Sequence, residues 1–321
     1  MKRRSLLRAA AAALLAPCSV RLPADEAAAE PFEAMDFDWH DAPRQRAPPV
    51  RLYLPRSAGP RARVPLVVFS HGIGGSRRGY SWLGHHWARH GVASLHLQHV
   101  GSDRSLWTGN PLSLLGRLHA AAQEQEALAR VHDLRAALDR LLASEIGERV
   151  DDTRLLAAGH SYGANTTLLA AGARVQREGR VLDLAEPRLR AALLISAPPF
   201  YGEDSMPDIL AGVTLPTLHV TATEDVIRIP GYYSDASDRL ALYQAIGSRR
   251  KWLAVFEGGS HSMFTDRQAS GGLALNAQVK AATRELALAF VQHHAGLPHE
   301  PLDSWPRRHA ALLARSEGFA G

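Results

Sequence analysis

Short continuous apolar runs alternate along most of this chain with longer segments whose apolar residues recur every three to four positions. Val64 to Ser70, Val92 to Leu97, Leu155 to Ala158, Ala191 to Ser196, Thr217 to Thr221 and Lys251 to Phe256 are runs of the first kind. Such runs predict strands covered on both faces. Between them, Tyr80 to His90 reads as a helix closed by Gly91 in the C′ position. Glu124 to Ser144 predicts an amphipathic helix with Leu128, Val131, Leu134, Leu138 and Leu141 on one face, and Ala281 to His294 a closing helix. Two shorter β-like runs come first, Phe37 to Trp39 and Val50 to Leu54, separated by Pro- and Arg-rich sequence. They suit antiparallel strands opening an otherwise parallel sheet. The alternation predicts an α/β fold, a mostly parallel sheet with helices on both faces. No internal repeat and no long interior linker interrupts it, so residues 30–321 are expected to form one domain. The segment from about 297 onward reads as a tail packing beyond the last core helix.

Composition changes this picture mainly at the N-terminus. Of 321 residues, 46% are hydrophobic and 21% charged, which suits a globular protein with a sizeable core. Residues 1–29 differ: Lys2, Arg3, Arg4 and Arg8 precede or open an Ala/Leu-rich run through Leu15, and small residues cluster at Ala27–Ala29. This pattern predicts an export signal, too short to anchor stably in a bilayer, so no transmembrane segment is expected in the mature chain. Arg3-Arg4 followed by Ser5-Leu6-Leu7 resembles a twin-arginine signal, with an ordinary Sec signal as the alternative. The expected location is periplasmic or secreted. Removing the leader lowers the formal net charge from +5 to about +2. No basic run interleaved with aromatics remains, so a nucleic-acid partner is not expected. Cys18 is the only cysteine, which excludes an intrachain disulfide. Lipoprotein anchoring through Cys18 is disfavoured by Pro17 directly before it.

Residues 154 to 166 carry the most chemical information. An apolar run enters Gly159-His160-Ser161-Tyr162-Gly163, and a small-residue segment leaves it from Ala164 to Ala171. Strand, G-x-S-x-G, helix resembles the nucleophile elbow of α/β-hydrolases. A tight turn lifts the Ser161 hydroxyl clear of the sheet, and flanking glycines let strand and helix pass closely. A serine hydroxyl needs a base, and the base needs an orienting group. On that fold the chain order is nucleophile, acid, histidine. The strand Thr217 to Thr221 runs into Ala222-Thr223-Glu224-Asp225, and the strand ending at Phe256 runs into Glu257-Gly258-Gly259-Ser260-His261. Ser161 is thus the expected nucleophile, His261 the general base and Asp225 the orienting carboxylate, with Glu224 the alternative. An oxyanion hole is expected from the amide of Tyr162 and the Gly-rich loop Ser70-His71-Gly72-Ile73-Gly74-Gly75-Ser76. There the Ile73 amide is the first choice and Gly72 the alternative.

Further residues resemble a known family. Val67 to Ser76, the elbow Gly159 to Ala164, Gly91 to Asp103 and Asp41 to Pro55 are similar to platelet-activating factor acetylhydrolases and to their bacterial relatives described as predicted dienelactone hydrolases. The likeness spans most of residues 36–295. It implies a Ser-Asp-His carboxylic ester hydrolase without a cofactor, acting on short-chain acyl esters. Small-molecule or lipid esters would be its partners. Alternatives in the same class are a lipid- or polyester-directed esterase and an acyltransferase; outside it, a non-catalytic binding protein on the same fold. Dienelactone hydrolases proper use a cysteine where Ser161 stands.

Trp107, with Leu112, Leu114 and Leu115, lies in one Gly/Pro-punctuated insert, and Phe200, Tyr201 and Met206 lie in another. Both inserts follow strands at the end where α/β sheets place ligands, so they line a substrate pocket or cover the core. His71 and His160 flank the expected centre and read as loop hydrogen-bonders, not proton carriers. His85, His86 and His90 read as a helix surface. His96 and His99 lack a third spaced ligand, so no metal site is expected.

Overall fold

The computed structural model describes residues 29–203, 205–266 and 272–319. The expected leader and Cys18 lie outside the described residues. Residues 31–321 belong to one compact unit. Its strands in chain order are β1 Phe32–Asp38, β2 Pro49–Pro55, β3 Val64–Ser70, β4 Ala93–Leu97, β5 Val150–His160, β6 Arg174–Arg177, β7 Arg180–Asp183, β8 Leu189–Ile195, β9 Thr217–Glu224, β10 Ile227–Ile229, β11 Tyr232–Ser234, β12 Lys251–Ser260 and β13 Leu313–Glu317. The helices used below are α1 Ser81–Arg89, α2 Leu114–Ala121, α3 Glu124–Leu142, α4 Tyr162–Ala170, α5 Met206–Leu210, α6 Ala236–Ala245 and α7 Leu273–His294.

Nine strands form one sheet in the order β1-β2-β4-β3-β5-β8-β9-β12-β13. From β4 through β12 every pairing is parallel, while β1, β2 and β13 pair antiparallel at the edges. The two-residue period of the strands divides the core. Leu66 and Val68 of β3 join Leu155 and Ala157 of β5 beneath Leu134 and Leu138 of α3. Val67 and Phe69 join Leu156 and Ala158 on the opposite face, beneath Leu83 and Trp87 of α1 and Leu286 and Phe290 of α7. A strand covered on both sides has no polar face, which is why all seven residues of β3 are buried.

The structure departs from the sequence reading in several places, among them α2, α5, α6 and the first eight residues of α7, which the sequence reading did not assign. The tail from about 297 does more than pack, because β13 adds an antiparallel edge strand to β12. Leu-Ala-Arg-Ser-Glu carries no apolar run because an edge strand is solvated on one side. Two small hairpins, β6–β7 and β10–β11, stand outside the main sheet. Lastly, α1 is not a histidine-bearing surface throughout: the His85 ring lies 5.1 Å from that of Phe32 and 5.2 Å from that of Tyr53.

Candidate active site

Four loops at the C-terminal ends of β3, β5, β9 and β12 meet at one edge of the sheet, where open α/β sheets place their ligands. At the end of β5 the Ser161 amide still donates to Ile195 O, at 2.9 Å, and its carbonyl accepts from Ala164 to begin α4. Strand thus becomes helix within a single residue, and Ser161 absorbs the turn with φ +54° and ψ −126°. For a non-glycine residue this conformation costs about 1–3 kcal/mol. The flanking glycines are required by contact. A Cβ on Gly159 would stand 2.1 Å from Gly163 O, and one on Gly163 would stand 1.9 Å from Ser70 O.

Asp225 follows β9 and His261 follows β12. His261 Nε2 lies 2.8 Å from Ser161 Oγ, and its Nδ1 lies 2.6 Å from Asp225 Oδ1. The carboxylate also accepts from Thr221 Oγ1 at 2.7 Å and from Arg239 of α6 at 3.4 Å. Burial would raise the Asp225 pKa, but the facing imidazole and the Arg239 guanidinium outweigh it and hold the carboxyl well below its usual range. Glu224 faces solvent at the strand end and makes no bond to the imidazole. Of the two acids weighed from the sequence, the structure brings Asp225 to His261.

His160 ties three of these loops together. Gly72 donates to the Tyr80 hydroxyl at 3.4 Å, Tyr80 donates to His160 Nδ1 at 2.8 Å, and His160 Nε2 donates to the carbonyl of His261 at 3.1 Å. Burial first, then the neighbouring His261, lowers the His160 pKa to about 3, so its ring is a fixed neutral strut. His71 is buried as well: Nδ1 donates to Gly72 O at 2.6 Å and Nε2 accepts from the His99 amide at 3.1 Å. His96 packs against the Tyr53 and Phe69 rings, while His99 bonds Asp133 and Ser70.

The Gly-rich loop after β3, expected from the sequence to supply oxyanion donors, lies directly against the serine, since a Cβ on Gly72 would approach Ser161 Cβ to 3.1 Å. Gly72 N is spent on Tyr80 and Gly74 N on Ser102 O. The amides of Ile73 and Tyr162 take no acceptor among the described residues. Beneath both segments lies Arg130 of α3, fully buried. Its Nε donates to Thr166 Oγ1 at 2.8 Å, its Nη1 to Ser102 Oγ at 2.8 Å and its Nη2 to the His71 carbonyl. Its guanidinium carbon sits 4.5 Å from the centre of the Tyr162 ring. Sequence reading missed Arg130, although it sits four residues before Leu134 and eight before Leu138, on the apolar stripe itself. Tyr80 and Arg239 were missed as well, and nothing local in the sequence marks them.

Ser161 and His261 open onto a cavity of about 990 Å³. Trp107 lines it, with Nε1 donating to Gly74 O at 2.9 Å, as do Phe200 and Tyr201. Leu112 and Leu115 face solvent instead, at 93% and 59% exposed, and Met206 packs on the core. Both hairpins absent from the sequence reading contribute walls, through Val175 and Leu182 and through Ile227 and Ile229.

The fold has counterparts among solved structures. A ferulic acid esterase from Streptomyces cinnamoneus superposes with a TM-score of 0.60 at 22% identity, covering 86% of this chain and 93% of its own. A PEG-bound, cold-adapted esterase from an Arctic intertidal metagenomic library superposes with a TM-score of 0.52 at 19% identity, covering 72% of this chain and 87% of its own. The chain has the α/β-hydrolase fold. Within that fold, the family model "Platelet-activating factor acetylhydrolase, isoform II" matches residues 55–110, from the end of β2 through the Gly-rich loop after β3 and on past β4. The resemblance read from Val67 to Ser76 and Gly91 to Asp103 is borne out over that stretch. No curated protein sequence matches the chain.

Proposed function

We propose that this α/β-hydrolase is a serine carboxylic ester hydrolase working through an acyl-enzyme. The observation that carries the reading is the continuous relay Asp225 Oδ1, His261 Nδ1, His261 Nε2, Ser161 Oγ, with separations of 2.6 and 2.8 Å. His261 Nε2 takes the Ser161 proton as Oγ bonds to the ester carbonyl carbon, and the carbonyl π pair moves onto oxygen. The Ile73 and Tyr162 amides receive that oxyanion, each donor contributing about 3 kcal/mol to the barrier reduction. Collapse expels the alcohol, which takes the proton from His261, and leaves Ser161 acylated. Water then attacks with its proton passing to His261, and the acid departs as the proton returns to Ser161. Asp225 stays ionised throughout, fixing the imidazole tautomer and stabilising the imidazolium. Export through residues 1–29 completes the proposal, and the N-terminal sequence of protein recovered outside the cytoplasm tests it.

The test of the chemistry is hydrolysis of p-nitrophenyl esters by wild type and by Ser161→Ala. The variant is expected to lose at least a thousandfold in kcat while keeping the wild-type circular dichroism spectrum. An unchanged rate removes the mechanism. Substrate that binds without turnover in the wild type would favour the non-catalytic binding protein instead.

A further inference from the structure

The cavity is longer than a short acyl group requires. Its lining on α4 and the turn before it consists of Ser161, Tyr162, Asn165, Thr166 and Leu169, which recur at the spacing of a single helix face. The void therefore follows α4 for two turns away from the nucleophile, about 12 Å at a rise of about 1.5 Å per residue. Aliphatic residues on its lining are Leu169 on α4, Leu128 on α3, Val175 and Leu182 on the β6–β7 hairpin and Leu184 after it, and beside them stand Gln123, Glu124 and Glu203. Arg177 also borders the void, but its charge is engaged by Glu124 and Glu203. A total volume of about 990 Å³ sits at the upper end of ordinary small-molecule sites, which run to about 1,000 Å³.

The walls also say which arm of an ester fits there. The departing alcohol takes its proton from His261 Nε2 and so leaves on the side of the loop that carries His261. That loop lines the cavity with Ser260, His261, Ser262, Thr265 and Asp266, a polar wall unlike the aliphatic residues around Leu169. We propose that the channel along α4 is the acyl site, built for an unbranched aliphatic acyl chain of about nine carbons that ends against the β6–β7 hairpin. The length follows from carbon–carbon bonds of about 1.5 Å, which advance an extended chain roughly 1.3 Å per carbon. The inference rests on Ser161 attacking an ester, and it replaces the short acyl group implied by the family resemblance with a medium-length one.

The experiment is the p-nitrophenyl ester series from acetate to palmitate on wild type, Leu182→Trp and Val175→Leu. Wild-type kcat/KM is expected to rise about two- to fourfold per added methylene up to eight to ten carbons, then level or fall. In Leu182→Trp the ratio of decanoate to acetate kcat/KM should fall at least tenfold. The milder Val175→Leu should move the optimum toward shorter chains by one or two carbons. A wild-type optimum at acetate or butyrate overturns the proposal, as does the same chain-length profile in both variants. Binding of decanoic acid to Ser161→Ala, measured calorimetrically and weakened by Leu182→Trp, reads the channel without turnover. Absence of that binding overturns the channel. Binding without wild-type hydrolysis of any ester overturns the hydrolase reading and leaves the channel standing.

Discussion

The guanidinium of Arg130 lies over the face of the Tyr162 ring, 4.5 Å from its centre, while the same group donates to the carbonyl of His71. One buried cation thereby touches both backbone segments whose amides flank Ser161. It reaches Glu126 indirectly, through the Ser102 hydroxyl, which donates to Glu126 Oε1 at 2.8 Å. Burial lowers the Arg130 pKa to about 10, leaving it charged at neutral pH.

Arg130→Met keeps the bulk of the side chain and removes the three donors. The Thr166, Ser102 and His71 oxygens then lose a buried partner, at about 1–3 kcal/mol each, so the melting temperature should fall. The more specific expectation is a loss of about a hundredfold in kcat with little change in KM, because the oxyanion donors lose their alignment. Phenylboronic acid, whose tetrahedral adduct with Ser161 presents an oxygen to the same amides, should bind at least tenfold more weakly. Arg130→Lys retains the charge without the planar fork and should recover only part of the loss. Unaltered boronate affinity in the Met variant would leave Arg130 a purely structural group.

Gly163→Ala should fail for a reason visible in the backbone. The added methyl would stand 1.9 Å from Ser70 O and 2.7 Å from His71 O, neither of which is the tip of a flexible side chain. Relief requires α4 to move away from β3, which opens both the core and the Gly-rich loop after β3. We expect loss of several kcal/mol in stability by denaturant titration. Gly179→Ala, with open space around its Cβ but φ +74°, should cost only about 1 kcal/mol. Equal losses for the two would refute the close-contact account.

Much of this arrangement was legible before any coordinates. Val64 to Ser70 reads as a doubly covered strand and is one, because seven consecutive apolar or small residues have no other economical burial. The antiparallel start, the elbow and the order of the late loops follow equally from local pattern. The β6–β7 hairpin escaped because Arg174 to Arg177 is short and mostly polar. Its one local signal is Glu178-Gly179, both at positive φ as the tightest hairpin turns require. Arg130 escaped for another reason. An arginine on an amphipathic helix is ordinarily solvated, and only its place on the Leu134–Leu138 stripe contradicts that. Arg239 meets Asp225 through α6, a tertiary contact that sequence spacing does not encode.

Asp225 and Glu224 are adjacent in the chain and opposite in environment, which makes them a matched pair of controls. Asp225→Asn should lower kcat by about ten-thousandfold while the protein folds, because an amide cannot hold the imidazole in the required tautomer or stabilise its charged form. Glu224→Gln, at an exposed strand end, should leave kcat within twofold. Steady-state kinetics on both variants decide the assignment, and the reverse pattern would transfer the orienting role to Glu224.

Acid should unfold this protein through its histidines before its carboxylates. His96, His160 and His219 are fully enclosed, and burial lowers each pKa to about 3; His99, also enclosed, falls to about 4. In the unfolded chain the same groups bind protons near pH 6.5. Unfolding below that pH therefore takes up protons, so stability is full above about pH 6.5 and declines as pH falls toward 4. Each histidine contributes a slope of about 1.4 kcal/mol per pH unit in that window. Acting together they are enough to exhaust a typical stability of about 5–15 kcal/mol within a few pH units. Asp133 and Asp225, held below the usual carboxylate range, add their losses only below about pH 4. Urea titrations between pH 7 and 4.5 measure the slope. His219→Gln, off the lining of the Ser161 cavity and bonded to Thr217, should reduce it by one proton per molecule. A stability profile flat from pH 7 to 5 would mean that these rings gain protons without unfolding, and that their neutral burial is misassigned.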